Sequence, residues 1–184
     1  MKTETAGASP APMVLLSCLA LFACAPAFSA AAKPPTLCLP DEQVLFSCVV
    51  NYKSRIVSLC ASKSLAATTG YLQYRFGKAV DNVEMEYPDP RDNSLKMLHY
   101  GHYFRAQVDR IRVYFNTEKY LYELFTDYEG DATPKIWSKG VRSTETTSSK
   151  DHTFECIGPA LSDLSKLETV LSCNPDESDC PSAK

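Results

Sequence analysis

Through the middle of the chain, apolar and polar residues alternate with a period of two. Leu72, Tyr74 and Phe76 alternate with Tyr71, Gln73 and Arg75. Val83, Met85 and Tyr87 alternate with Glu84 and Glu86 until Pro88 stops the run. Ile111, Val113 and Phe115 alternate with Arg110, Arg112 and Tyr114. The β-branched runs VLFSCVV (44–50) and RIVSLCA (55–61) flank the turn-like NYKS. YLYELFTDY (120–128) follows the polar NTEK (116–119), and PKIWSKGVRS and HTFECIG flank TETTSSKD. Successive side chains of a strand point to opposite faces, so such runs, divided by turn clusters, read as half-buried strands. About seven to nine of them predict a mainly β domain, an antiparallel sandwich or small barrel. Leu72, Tyr74, Phe76, Val83, Met85, Ile111, Val113 and Phe115 form the predicted inner face. Arg75 is predicted to point outward and to pair across its hairpin with Glu84 or Glu86.

The period changes near the end. In LSDLSKLETVL, Leu161, Leu164, Leu167 and Leu171 share one stripe, and Ser165-x-x-Glu168 matches a capping box, which predicts one short C-terminal helix. YPDPRDNSLK (87–96) is rich in turn formers and reads as a flexible loop.

The apolar run MVLLSCLALFACA (13–25) is too short for a membrane helix of about 20 residues, but it fits the roughly 7–15-residue core of a signal peptide. Pro26 follows it, and then AFSAAA, with cleavage expected after Ser29, Ala31 or Ala32. The expected division is a signal peptide over 1–32, a single disulfide-stapled β domain over 33–174 and an acidic tail over 175–184. The segment LFAC ending at Cys24 has the outline of a lipoprotein signal, but the bulky Phe22 argues against a lipid anchor there. A periplasmic or secreted protein with no transmembrane segment after signal removal is expected.

Export changes how cysteine is read. Beyond the signal segment remain Cys38, Cys48, Cys60, Cys156, Cys173 and Cys180, an even number that reads as a disulfide framework. A three-residue loop Lys53-Ser54-Arg55 would set Cys48 opposite Cys60, within disulfide reach. Cys156 with Cys173 would then dock the helix onto the sheet, and Cys38 with Cys180 would join the two ends of the domain.

Charge and motifs narrow the chemistry further. The net charge is −3 and basic residues are dispersed, which argues against a nucleic-acid partner. HYGHYFR places His99 and His102 at H-x-x-H spacing, but if the segment were a strand those positions would face opposite sides and only a bend or loop could bring both to one ion, so no metal site is expected. DYEGDA (127–132) lacks the register of a calcium loop, since Gly130 falls at its fourth position rather than its sixth. Hydrolase and nucleotide-binding signatures are missing, and neither cofactor nor catalytic residue is expected. Tyr71, Tyr100, Tyr103, Tyr114, Tyr120, Tyr122 and Tyr128 stand out, because tyrosine combines rigid area with a polar tip. Tyr71, Tyr100, Tyr103 and Tyr114, with Trp137 and Lys139, are the predicted binding surface.

Two resemblances bear on these residues. FSC…VSLCAS, YLQYRFG, DRIRVYF and the closing C…LETVLSC resemble a family of small exported bacterial proteins of unassigned function, over Cys38 to about Asn174. KIWSKG (135–140), followed by a strand and Cys156, is similar to the W-x-K-G segment of periplasmic inhibitors of C-type lysozyme. Those are small β-barrels that block the lysozyme cleft with a loop bearing S-G-x-x-Y. In TTGYLQY, Thr69 replaces the serine and Tyr74 comes one residue late. The function expected is a non-catalytic exported β domain that binds a macromolecular or envelope partner. The alternatives are lysozyme inhibition and an envelope hydrolase or metal-dependent enzyme using His99, His102 or His152.

Overall fold

A computed structural model describes residues 1–3, 7 and 32–173. The chain divides into two units, Met1–Ala31 and Ala32–Lys184, and every described strand belongs to the second. Nine strands follow in chain order: β1 (Glu42–Val50), β2 (Ile56–Ser62), β3 (Leu72–Ala79), β4 (Asn82–Tyr87), β5 (His99–Arg105), β6 (Val108–Asn116), β7 (Tyr120–Glu129), β8 (Ile136–Glu145) and β9 (Asp151–Ser162). They form one antiparallel sheet in the order β4-β3-β2-β1-β9-β8-β7-β6-β5. The protein is therefore mainly β, as its alternation predicts.

The sheet curls until its two halves meet. Tyr87 of β4 stacks on Phe115 of β6 with centroids 4.4 Å apart, and Phe115 stacks on Tyr122 of β7 at 4.9 Å. Tyr74 of β3 lies 5.0 Å from Phe115. Aromatic pairs at such spacings add about 0.5–1.5 kcal/mol beyond the area that they bury. The resulting half-barrel is filled by Phe46, Leu59, Leu72, Leu98, Tyr100, Val113 and Leu124, all buried. Of the predicted inner face, Leu72, Tyr74, Val113 and Phe115 are buried, whereas Phe76, Val83, Met85 and Ile111 are half-buried.

The predicted C-terminal helix is not formed. β9 runs on to Ser162, and only a 3₁₀ turn, Leu164–Leu167, follows it. Ser165 and Glu168 make no capping box, because the turn is capped by Asp163 and has no side-chain cap bond. The leucines still do what their stripe implied: Leu164, Leu167 and Leu171 are buried in the barrel core. A single turn suffices to point them inward. Within the segment read as a flexible loop, Ser94 begins one α-helical turn, α1 (Ser94–Met97), and its hydroxyl accepts a bond from the Leu72 N–H at 3.0 Å.

The cysteine pairing differs from the expected one, and strand register is the reason. The β1–β2 turn holds four residues, 51–54, closed by a bond from the Val50 N–H to the Arg55 carbonyl. Lys53 and Ser54 take the left-handed backbone conformation that the turn requires. Cys48 therefore lies opposite Val57, and Cys60 opposite Val44. Val57 and Leu59 face inward with Cys48, while Cys60 faces outward with Ser58. Cys48 cannot reach Cys60. Instead Cys48 bonds to Cys156 of β9 inside the barrel, and Cys60 bonds to Cys38 outside it. Both expected bridges to Cys156 and Cys38 are thereby replaced. Cys173 is disulfide-bonded as well, and Cys180 lies outside the described residues. Disulfides persist in oxidising surroundings, so these bonds point to an extracytoplasmic location. Among the described residues no helix is long and apolar enough to cross a membrane.

The outer face of β1–β3 is not solvated, which overturns the exposed Arg75. The segment before β1 crosses this face: Ser47 Oγ donates to the Pro35 carbonyl at 2.6 Å, and the Leu37 N–H donates to Ser58 Oγ at 2.9 Å. Beneath it Arg75 is 4 % exposed and grips the Glu42 carboxylate with both terminal nitrogens, at 2.6 and 2.9 Å. The expected Glu86 contact is present too, to Arg75 Nε at 3.0 Å. The outer face of β6–β8 carries a different charge ladder, in which Arg112 bridges Glu123 and Asp127, and Arg142 joins Glu123.

Candidate functional site

The concave face of the half-barrel stays open at one end. Cross-strand register explains which side chains reach it. Phe115 pairs with Tyr122, Tyr122 with Ser143 and Ser143 with His152, which sets one row across β6–β9. On the other half, Phe76 pairs with Met85. Opposed residues of an antiparallel pair point to the same face, so both rows look into the hollow. The β1–β2 turn adds Tyr52, whose ring lies 5.3 Å from Phe154. The cavity has a volume of about 620 Å³ and is lined by Tyr52, Tyr74, Phe76, Met85, Tyr120, Tyr122, Val141, Ser143, His152 and Phe154. That lies within the range of roughly 300–1,000 Å³ typical of small-ligand sites.

The lining is largely aromatic, with polar groups at the ring tips, on the buried Ser143 and on His152 at the rim. The Tyr74 and Tyr122 rings lie 6.1 Å apart, and those of Tyr120 and Tyr122 6.0 Å. Burial pushes the Tyr74 and Tyr122 hydroxyls up, and a neighbouring tyrosine in each case pushes further. Both therefore remain neutral donors and acceptors at every physiological pH. Among the described residues no carboxylate, lysine or arginine lines the cavity. The described lining thus offers aromatic surface and a few hydroxyls.

The histidines do not converge. His102 Nε2 lies 2.8 Å from Asp109 Oδ1 on β5 and β6, His99 Nδ1 lies 3.4 Å from Ser172 Oγ, and His152 stands at the cavity rim. Among the described residues one group has metal-ligand spacing, Cys38, Glu42 and Cys60. Its two sulfurs are joined in a disulfide, and its carboxylate is held by Arg75, so no ligand set is free there. The DYEGDA turn is tied down by a bond from the Gly130 N–H to the Gln107 carbonyl and by an Asp131–Arg105 ion pair at 3.0 Å.

The residues predicted as one binding surface are scattered. Tyr100 and Tyr114 are buried, at 2 % and 3 % exposure. Tyr71 donates to Glu42 at 3.0 Å with Arg91 over its ring, and Tyr103 lies beneath Arg110. Trp137 is exposed, its ring centroid 4.2 Å from that of Tyr128, and Lys139 lies beside it on β8. Tyr74, the ring of TTGYLQY, is 1 % exposed and projects into the barrel rather than from a loop. Of the cavity residues, Tyr120 and Tyr122 stood out among the tyrosines but not as part of the predicted binding surface, and Tyr52, Met85, Ser143 and Phe154 were not predicted as a site. Alternation marks most of them as inward-facing, but nothing local indicates that β4 faces β7 across a hollow. Comparison of the chain with known protein families, with curated proteins and with solved structures finds no match.

Proposed function

We propose that this chain is an exported, non-catalytic binding domain of the periplasm or extracellular space. It holds an uncharged apolar group, an acyl chain or an aromatic ring of an envelope component, in the open mouth of its half-barrel. One observation carries the reading: a cavity of about 620 Å³ whose lining is dominated by aromatic rings and, among the described residues, contains no carboxylate, lysine or arginine. Transfer of apolar surface from water contributes roughly 25 cal/mol per Å², and the tyrosine hydroxyls would orient whatever polar end the ligand carries. The disulfide between Cys48 and Cys156 favours a preformed site, since it ties β1, which leads into the Tyr52 turn, to β9, which carries His152 and Phe154.

Titration with the neutral fluorophore N-phenyl-1-naphthylamine tests this. Saturable enhancement is expected, weakened at least tenfold in His152→Trp, which plugs the mouth from an exposed rim position. Absence of enhancement, or equal binding by the variant at unchanged thermal stability, overturns the assignment.

A further inference from the structure

A second concavity lies between β8 and β9, and its origin can be read in the sequence. The β8–β9 ladder ends at the pair Gly140↔Glu155. Beyond it, β9 meets Gly158, whose φ of +71° is open to glycine but strained for other residues, and then Pro159, which has no N–H to give. The register of β9 against β1 slips at this point, from Val49↔Ile157 to Cys48↔Ala160. This is a β-bulge, and bulges bend a strand and re-aim what it carries. β9 stays with β1 while Ile136–Lys139 stay with β7. The slot left between them has a volume of about 340 Å³ and is lined by Trp137, Ser138, Lys139, Glu155, Cys156, Gly158 and Ala160. Nothing lies within 4 Å of where a Cβ on Gly158 would stand, so its floor is open.

We propose that this slot binds a neutral saccharide, with Trp137 as its stacking platform. Trp137 is 69 % exposed although one side packs on Tyr128, so indole surface remains for a ligand. Along the slot stand Ser138, Lys139 and Glu155, where the β8–β9 ladder has ended. An occupant must therefore present an apolar face to an indole and hydroxyls to a ring of mixed donors and acceptors. A pyranose does both, through its axial C–H face and its equatorial hydroxyls. Lys139 and Glu155 are opposite in charge, which selects against a net-charged polymer. A peptide strand fits less well, because the bulged lip with its Pro159 offers no regular ladder and only Ile136–Lys139 are open on the β8 side. The platform also continues away from the slot: Phe104 pairs with Asp109, Asp109 with Tyr128 and Tyr128 with Trp137, and Phe104 is 73 % exposed. Three strand spacings make this row about 14 Å long, room for an oligosaccharide rather than a single sugar.

Trp137 is the only tryptophan of the chain, so its emission reports on the slot directly. Titration of the full chain with chitotetraose, a neutral β-linked probe, should give a saturable change in emission with a Kd below about 1 mM. By calorimetry, Trp137→Ala should weaken binding at least tenfold, Trp137→Phe should retain part of it, and Lys139→Ala should weaken it several-fold. These positions are exposed or half-buried, so the variants should fold as the native chain does. An emission unchanged by chitotetraose overturns the proposal, as does calorimetric binding that Trp137→Ala leaves intact. Neither result touches the aromatic mouth, whose test uses a different probe and a different variant.

Discussion

Replacing Glu42 by glutamine removes one charge from a pair closed off from water on both sides. The Arg75 side chain is 4 % exposed and that of Glu42 0 %. The Glu42 carboxylate accepts from Arg75 twice, from the Leu39 N–H at 2.6 Å and from the Tyr71 hydroxyl at 3.0 Å. Burial alone would raise its pKa, but the bonds from Arg75, Leu39 and Tyr71 and the charge of Arg75 outweigh burial and hold it below its ordinary value of 4.5. Breaking a buried pair by removing one partner costs about 3–5 kcal/mol, because the other charge is left buried. Arg75 would keep Glu86, the Gln73 side-chain oxygen and the Leu37 carbonyl. The expected loss is therefore near the lower end, about 3 kcal/mol, or roughly 6–12 °C in Tm. A depressed carboxylate pKa contributes stability that is present above the unfolded value and is lost as pH falls through the folded one. The native protein should accordingly lose stability below about pH 4.5, and Glu42→Gln should lose less of it over that range. Urea unfolding of native protein, Glu42→Gln, Arg75→Met and the double variant, from pH 7 to pH 3, reads all of this. The double variant should be destabilised by about 2 kcal/mol less than the sum of the singles. Additive singles, or a loss under 1 kcal/mol in Glu42→Gln, would refute the view that the pair acts as a unit beneath the crossing segment.

Four further perturbations probe the rest of the fold. The Cys48–Cys156 bond closes a separation of 108 residues and Cys38–Cys60 one of 22, so loop entropy predicts that removing the first costs about 4–5 kcal/mol and the second about 3. Guanidinium unfolding of the two double-serine variants should rank them in that order, and the reverse ranking would sink the entropic account. Burial, aided by the charges of Glu168 and Asp109, pushes the Tyr100 hydroxyl up to about 12, and the Tyr74 and Tyr122 hydroxyls are raised too. Their neutral forms are favoured in the folded state, so stability should hold below about pH 10 and fall as pH rises towards 12, visible as cooperative phenolate formation on unfolding. Tyr100 Oη has no hydrogen-bond partner among the described residues, so Tyr100→Phe should be neutral or stabilising by up to about 1 kcal/mol, and a clear loss of Tm would contradict that placement. A Cβ at Gly140 would clash with the Phe154 carbonyl and stand 2.8 Å from the Phe125 ring, so Gly140→Ala should lower stability by about 1–3 kcal/mol in the same unfolding assay.

The amino-acid sequence alone determined what is local. Period-two alternation is a property of neighbouring residues, so it marked the strands, their inner faces and the mainly β class. It missed β5, because in HYGHYFR the histidines and Gly101 interrupt the apolar rhythm, and only pairing with β6 makes this segment a strand. It read a helix at the leucine stripe because burial at helical spacing looks the same whether one turn or three turns deliver it. Tertiary structure decided the rest. A four-residue turn, where three residues were expected, moved Cys48 and Cys60 to opposite faces and redrew the disulfides. The segment crossing β1–β3 buried Arg75, whose neighbours in sequence mark it as exposed. The curl of the sheet brought Tyr74, Phe115 and Tyr122 together from three strands and so made the aromatic mouth, and the Gly158–Pro159 bulge opened the slot beside Trp137. Each of these depends on register and closure between residues far apart in the chain, and no periodicity within a strand encodes which distant strand its inner face will meet.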